Sequence, residues 1–593
     1  MTIAALSPEQ RTEDLRRLGR EEFDVLVVGG GVTGAGAALD AATRGLRVAV
    51  VEAQDWASGT SSRSTKLIHG GLRYLEMLDF RLVHQALVER GLLLQVVAPH
   101  LVRPVPILYP LRTPVVERAY VGAGIALYDA LGWSTGTSRG LPLHRHLSRR
   151  TALAIAPGLR RDSLAGAIGY YDAQVDDARF VAELVRTAAT YGAVAVSRVA
   201  VVDIRREGGR VTGAVVRDAE TGTDVEVRAA VTLLATGPWT EDTEALAGRS
   251  RAVKVRPSKG VHLVVDRSKI DSAAGLVVRT EKSVLFALPW HRHWLIGTTD
   301  TDWDHEKARP VATSVDVEYL LGHVNRLLER PLGTDDVEAV YAGLRPLVAG
   351  IGVVRGPGEQ GAERLDRVSS AEPPTTKVSR EHAVARPAPG LVVVSGGKYT
   401  TYRVMAADAV DAAVEDLGRS DCSSVTRRVR LVGAEQYEAR RAQRGLLAQR
   451  YRTPVEKVDH LLDRYGGLVD QVLDLVAGTP TLGTEVADGA GYLQAEVVYA
   501  VTHEGARHLD DILLRRTRIG IETEDAGLAA AKAVADLVGP LLGWDGATAD
   551  AEVDAYRRTA ELEYLGAGRP ADDEQAVART ADAAPLFSSS PSS

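Results

Sequence analysis

Three glycines, a carboxylate and a scattered set of cations carry the chemistry legible in this chain. Gly29, Gly31 and Gly34 stand in the spacing G-x-G-x-x-G, and Glu52 follows 18 positions after the last of them. In a strand–turn–helix unit each has its own task. Gly29 permits the tight turn, Gly31 admits a pyrophosphate against the backbone, and Gly34 lets the helix pack on the strand. The helix N-terminus offers N–H donors and a partial positive charge to phosphates. A carboxylate at Glu52 accepts ribose hydroxyls and repels a 2′-phosphate. The surrounding elements fit: Phe23–Val28 reads as a buried strand, Ala35–Thr43 as a helix and Arg47–Glu52 as a second strand. A second match, at Gly356, Gly358 and Gly361, is rejected. Pro357 and Glu359 would put a rigid ring and a negative charge where phosphates sit, so that stretch reads as a surface loop. One fingerprint implies one dinucleotide: if it is NAD, a separate catalytic domain should follow, and if it is FAD, the flavin itself does the chemistry.

A hydroxyl-rich run follows: Thr60, Ser61, Ser62, Ser64, Thr65 and Lys66, then His69, Gly70, Gly71, Arg73 and Tyr74. Hydroxyls and backbone N–H groups here can line a pyrophosphate and ribityl chain, and the glycine pair lets the backbone approach a planar ring. Leu72, Leu75 and Leu78 at helical spacing argue that the run is buried. Gly237, in Ala235–Trp239, ends a buried strand. Gly396-Gly397-Lys398 ends the strand Leu391–Val394, and Tyr399 and Thr400 lead into a helix over Thr401–Leu417. Arg345 lies in an apolar run with Pro346 and Leu347 and would need a partner there. The pairs His144/His146 and His291/His293 have no third ligand cluster nearby, and two ligands do not make a zinc site, so no metal is expected.

The chain has 593 residues, 45% hydrophobic and 25% charged, with a net charge of −7, which excludes a disordered, fibrous or strongly nucleic-acid-attracting protein. One cysteine, Cys422, excludes disulfide staples and thiolate metal sites. Leu92–Leu111 is broken by His100, Arg103 and four prolines, so it cannot span a membrane. Ala119–Trp133 is short and carries Asp129; it reads as a buried helix, with a helix lying on a membrane surface as the alternative. Residues 1–20 form an N-terminal extension, read as a frayed helix. Ala195–Arg205, Val211–Val216 and Val225–Leu234 read as a three-stranded meander, and Ser283–Trp290 with Trp294–Thr298 as a hairpin. From Gly433 to Leu565 the pattern is helical, and 566–593 reads as a disordered tail. The first residues lack an apolar signal core, which suggests a cytoplasmic protein.

These motifs together resemble the FAD-dependent glycerol-3-phosphate dehydrogenases, within the D-amino-acid-oxidase-like flavoproteins. The resemblance rests on Gly29–Gly36, Glu52–Asp55, Thr60–Glu76, Phe80–Val83, Tyr128-Asp129, Val175–Arg179, Ala235–Trp239, Lys259–His262, Ile296–Asp300, Gly343–Leu347 and Gly396–Arg403, in family order. Asp510 and Leu514–Thr517 resemble the family's C-terminal cap. Leu344 stands where the family usually has valine, and Ala349–Glu363 looks like a longer loop than the family needs.

The resemblance implies a mixed α/β fold. A Rossmann-like FAD-binding domain over 21–420 is interleaved with an antiparallel-sheet substrate domain (roughly 100–170 and 240–390), and a helical cap over 425–565 follows. It implies FAD as cofactor, held by Gly29, Gly31, Gly34, Glu52, Ala53, Thr60, Ser61, Ser62, Ser64, Lys66, His69, Gly70, Gly71, Val199, Gly237, Lys398, Tyr399 and Thr400. It implies oxidation of sn-glycerol 3-phosphate to dihydroxyacetone phosphate, by hydride transfer from C2 to flavin N5. Electrons then pass to a quinone, or to O₂ if the protein is an oxidase. An amine or amino-acid oxidase, or a flavin-binding assembly protein without turnover, are the readings from other classes. Arg73, Tyr74, Arg345, Arg380 and Lys398 are the expected substrate contacts, with Arg345 and Lys398 near the reacting centre; a solvated Arg380 is an equal alternative. His69 is the preferred proton acceptor because a related oxidase family has its base at that position, His262 is the second candidate, and a water or an arginine-assisted route is the third. Docking on the inner face of the cytoplasmic membrane and a homodimer are the partners the resemblance allows.

Overall fold

The first 43 residues already show how the chain builds its scaffold. In the computed structural model, which describes residues 2–76, 79–134, 136, 141–248, 252–281, 284–351, 380–487, 489 and 491–565, the strand Glu22–Val28 turns directly into the helix Val32–Thr43. That strand pairs in parallel with Val48–Glu52 on one side and with Asp224–Leu234 on the other. Val194–Ser197 and Leu391–Gly396 extend the parallel sheet at its two edges, and His382–Ala388 adds an antiparallel strand beyond the latter. The central strands are almost uninterrupted runs of valine, alanine and leucine because both faces are covered: one by the helices Val32–Thr43, Asp177–Thr190 and Tyr402–Asp416, the other by the strands Val199–Glu207 and Arg210–Asp218 with Leu18 of the N-terminal helix.

Ala195–Arg205, expected as one run, is two strands. Val194–Ser197 ends in the parallel sheet; Arg198 adopts φ +60, and Val199–Glu207 then starts the meander with Arg210–Asp218 and Asp224–Leu234. A kink of this kind leaves no trace in hydrophobic periodicity.

The second sheet is built on two long paired strands, Val253–Asp266 and Val337–Ile351. Val284–Trp290 and His293–Gly297 form the expected hairpin beside them. Arg103–Leu111, Gly166–Gln174 and Gly275–Arg279 continue the sheet, with one parallel pair between Arg103–Leu111 and Gly275–Arg279 in an otherwise antiparallel array. His382–Ala388, expected within this substrate part, belongs to the first sheet. Ala349 to Ile351 continue a strand and are not loop; the rest of the expected long loop, and the rejected glycine match, lie outside the described residues, as does 566–593.

The N-terminal helix Pro8–Arg20 is not frayed. Ser7 caps it, accepting from Gln10 N–H, and buried Leu18 packs with the parallel-sheet core. The helix Val116–Ser134 is not a buried helix either. Val121, Ile125 and Tyr128 face the core, while its other face is open to solvent. Beyond residue 430 the elements are helices, from Tyr437–Ala442 to Gly546–Glu563, folded around their own apolar clusters. No helix among the described residues is long and apolar enough to cross a membrane.

Candidate active site

A cavity of about 610 Å³ opens between the two sheets. Its floor is the glycine turn. Gly29 adopts φ +110, and a Cβ there would lie 2.6 Å from the Ala235 carbonyl oxygen; at Gly34 it would lie 1.8 Å from the Gly29 oxygen. Strand and helix can therefore meet only with glycine at both positions. Ser61 Oγ accepts from Val32 N–H at 2.9 Å, which ties the hydroxyl-rich run to the helix start. Glu52 closes this end: its Oε2 accepts from Gly30 N–H at 2.6 Å and its Oε1 from Gln54 N–H at 2.8 Å. Burial pushes the Glu52 carboxyl above its ordinary range, against the pull of those two donors. Ala53 and Val199 line the cavity beside it. A side-chain-free cradle at a helix N-terminus, with a carboxylate beyond it, fits a dinucleotide in chemistry and shape.

The far end gathers the cations. Lys398 Nζ lies 4.3 Å from the centroid of the Tyr74 ring and donates to the Gly70 carbonyl at 3.4 Å. Burial, with the Arg380 charge second, pulls its ammonium down to about 7. Arg380 Nη2 donates to Asp300 Oδ2 at 3.1 Å. Arg345 Nη2 donates to Thr298 Oγ1 at 3.0 Å, and its Nη1 lies 4.0 Å from Asp300 Oδ1. One carboxylate thus holds two guanidinium groups at the cavity wall.

Both candidate histidines line the cavity. The His69 ring meets Phe286 edge-on at 6.2 Å, and its backbone N–H donates to Thr400 Oγ1 at 3.2 Å. Burial, then the Lys398 and Arg90 charges, pull the ring down to about 3, so it is neutral near pH 7. His262 Nε2 pairs with Thr65 Oγ1 at 2.9 Å, and its ring stacks on Tyr341 at 4.8 Å. Burial and Arg345 hold it well below the usual imidazole range. His262 is thus engaged on two sides by protein, and His69 on one.

Most of the expected cofactor and substrate residues lie on this wall: Thr60, Ser64, Gly71, Gly237, Tyr399 and Thr400 join those already described. Four do not. Gly34 works behind the turn. Ser62 contributes its carbonyl to Lys66 Nζ. Lys66 points away from the cavity into a buried ion pair with Asp177 at 2.7 Å, because a cation this deep requires a carboxylate and finds one on the helix Asp177–Thr190. Gly70 packs against Tyr128, whose hydroxyl accepts its N–H at 2.7 Å. Arg73 belongs to the short helix Leu72–Glu76, and its side chain lies outside the described residues. Asp300, Thr298 and Asp177 were not singled out from sequence as site residues. Each stands inside or beside a quoted motif, but only the fold brings it to a cation.

Comparison with known proteins follows the same division of the chain. The family profile described as FAD dependent oxidoreductase matches residues 24–403, and that described as C-terminal domain of alpha-glycerophosphate oxidase matches residues 424–549. Glycerol-3-phosphate dehydrogenase 2 of Mycobacterium tuberculosis is 51% identical over 569 residues, covering 96% of this chain and 93% of the relative. The human mitochondrial glycerol-3-phosphate dehydrogenase is 35% identical over 572 residues, covering 93% of this chain and 75% of the relative. The crystal structure of the glycerol-3-phosphate dehydrogenase from Bacillus halodurans complexed with FAD superposes with a TM-score of 0.74 at 27% identity, covering 94% of this chain and 98% of that one.

Proposed function

Because this chain belongs to the family of FAD-dependent glycerol-3-phosphate dehydrogenases, we propose that it oxidises sn-glycerol 3-phosphate to dihydroxyacetone phosphate and hands the electrons to a membrane quinone. The observation that carries this reading is the meeting of Arg345, Arg380 and Lys398 at one end of a cavity whose other end is the dinucleotide turn. FAD, when bound, supplies the hydride acceptor.

The chain's own residues do the rest. Arg380 presents forked donors to phosphate oxygens; Arg345, expected near the reacting centre, shares Asp300 with it and so stands where it can reach both the phosphate and the reacting oxygen, and Asp300 keeps both side chains ordered before substrate arrives. Lys398 adds a cation close to the reacting hydroxyl, and its proximity to Gly70 and Tyr74 holds it beside the segment that carries His69. His69 is neutral and can accept the hydroxyl proton. Burial weakens it most as a base, and a phosphate dianion bound nearby offsets the Lys398 and Arg90 charges that add to that effect. Phe286 and Leu72 on the same wall keep water away from that transfer.

The quinone acceptor draws support from the helix Val116–Ser134. Its exposed residues are Val116, Ala119, Tyr120, Ala123, Ala126, Leu127, Ala130 and Trp133, with no charge among them. The helix's charged residues are turned aside and engaged: Glu117 accepts from Arg112 and Thr113 N–H, Arg118 donates to the Leu147 carbonyl, and Asp129 holds His144. Exposed Arg145, Arg149 and Arg150 stand on the neighbouring strand and helix. An uncharged face with interfacial aromatics and an arginine collar suits an anionic bilayer surface better than bulk water. Tyr128, on the inner face of this helix, bonds Gly70, which sits between cavity residues His69 and Gly71. We place the enzyme in the cytoplasm, on the inner face of the membrane.

The deciding experiment is an anaerobic absorption spectrum of the purified protein. A yellow flavin spectrum bleached by glycerol 3-phosphate and not by glycerol is the expected result. A flavin that glycerol 3-phosphate leaves oxidised overturns the substrate assignment.

A further inference from the structure

The segment after Glu52 is gripped from the opposite side by the C-terminal domain. Asp55 is fully buried, and Arg516 binds it with two parallel bonds, Nη1 to Oδ2 at 2.8 Å and Nη2 to Oδ1 at 2.7 Å. Arg515 adds a third, from Nε to Oδ2 at 2.5 Å. Arg515 Nη2 is itself held by Asp510 at 2.8 Å and Asp511 at 2.6 Å. Asp511 also receives Arg198 Nη2 at 2.5 Å, and the Arg198 backbone N–H donates to the Gln54 carbonyl at 2.8 Å.

These contacts close a ring. It runs from Asp55 through Arg515, Asp511 and Arg198 back to Gln54, next to Asp55 in the chain. The two segments it pins, Ala53-Gln54 and Arg198-Val199, supply Ala53, Gln54 and Val199 to the cavity wall beside Glu52. Three arginines and three aspartates make the cluster neutral, so its charges are all compensated when it is complete, and removing one buried member leaves a charge without its partner. Trp56 extends the grip. It is buried against Gly30 of the dinucleotide turn on one side and lies near Gly505 of the helical domain on the other. None of these groups touches the end of the cavity where Arg345, Arg380 and Lys398 meet.

We propose that the C-terminal helical domain, through Arg515 and Arg516 on Asp55, positions the adenosine end of the FAD site, so that domain docking and FAD retention are energetically coupled. Asp55, Arg515 and Arg516 are positioning residues; they act on the cofactor through Ala53, Gln54 and Val199. The inference rests on FAD lying along the dinucleotide turn. By linkage, whatever the docked domain adds to FAD affinity, bound FAD returns to domain docking.

The test uses the full chain stripped of FAD and then titrated with it. A variant with both Asp55→Asn and Arg516→Gln leaves no buried charge stranded between the two positions. It is expected to bind FAD at least tenfold more weakly, with faster FAD release, while its KM for glycerol 3-phosphate at saturating FAD stays within twofold of wild type. Arg440→Gln breaks an ion pair with Asp470 elsewhere in the same domain and is expected to leave FAD affinity unchanged. Wild-type FAD affinity in the double variant, or equal weakening in Arg440→Gln, overturns the proposal. Trypsin digestion of the wild type tests the reciprocal effect without any variant. FAD is expected to slow cleavage after Arg515, Arg516 and Arg518, and equal rates with and without FAD overturn the coupling. A wild-type chain that takes up no FAD would instead overturn the cofactor's placement, a separate outcome.

Discussion

Arg380 and Asp300 form a 3.1 Å ion pair on the cavity wall, and the same carboxylate stands 4.0 Å from Arg345. A bound phosphate must share those guanidinium groups with Asp300. The carboxylate therefore orders the arginines at some cost in their attraction for a dianion. Arg345→Ala is expected to lower kcat/KM by about 2–5 kcal/mol in transition-state terms, the range for removing one member of a desolvated charge pair. Asp300→Ala is expected to raise KM about tenfold or more, as the arginines lose their orientation. Steady-state dye reduction measures both, and wild-type kinetics in Arg345→Ala would remove that residue from the site.

Lys398 gives the pH profile a predictable alkaline limb. Its ammonium is held down to about 7 by burial and by Arg380, so the cation proposed to face substrate is lost as pH rises through that value. Phosphate monoesters become dianions above about pH 6. The free-enzyme profile of kcat/KM should therefore rise through about 6 and fall above about 7. Lys398→Met is expected to lower the maximum and abolish the alkaline fall; a retained fall would assign it to another group.

His69→Asn is expected to keep FAD bound and slow flavin reduction by about 10²–10⁴-fold, the usual contribution of a positioned base. Stopped-flow reduction under anaerobic conditions is the measurement. Undiminished reduction would pass the role to His262 or to no side chain. Rapid reoxidation of the reduced wild type by O₂, in the same instrument, would favour an oxidase over a quinone-linked dehydrogenase.

His508 links pH to stability far from the cavity. Burial lowers its affinity for a proton, yet hydrogen bonds to Glu220 at 3.0 Å and Glu552 at 2.8 Å raise it to about 10. A group whose folded value is raised contributes fully below its unfolded value, near 6.5, and the contribution fades as pH climbs to the folded one. Stability should therefore decline between about pH 6.5 and 10 on this account. With partial solvent access, the pair interaction amounts to about 1–3 kcal/mol. Urea unfolding across that window should show a shallower decline in His508→Gln; identical slopes would sink the assignment.

The proposal that Val116–Ser134 faces a membrane predicts a loss that spares the chemistry. Replacing Tyr120, Leu127 and Trp133, which are 59%, 41% and 67% exposed, by serine should abolish flotation with vesicles containing anionic lipid. Turnover with a water-soluble dye should not change. Wild-type flotation in the triple variant would show that the bilayer meets another surface.

Periodicity and motif spacing determined the dinucleotide turn, the strands around it and the helical C-terminal part, while FAD as cofactor followed from the family resemblance. They could do so because each is a local signal: a strand, a glycine turn and a helix within about thirty residues need no distant partner to be recognised. The family's specific motifs also brought Arg345, Arg380, Lys398, His69 and His262 to notice. Their partners were decided by tertiary structure alone. Lys66 looks like a phosphate ligand among its hydroxyl neighbours, yet Asp177, 111 residues later, draws it out of the cavity. Asp300 becomes a site residue only when Arg345 and Arg380 fold onto it, and Asp55 becomes a clamp only when Arg516 arrives from the other end of the chain. The apolar helix after Val116 reads the same whether its second face is covered or bare. Burial of charge and the facing of surfaces are pairwise properties of the folded chain, and they have no period in one dimension.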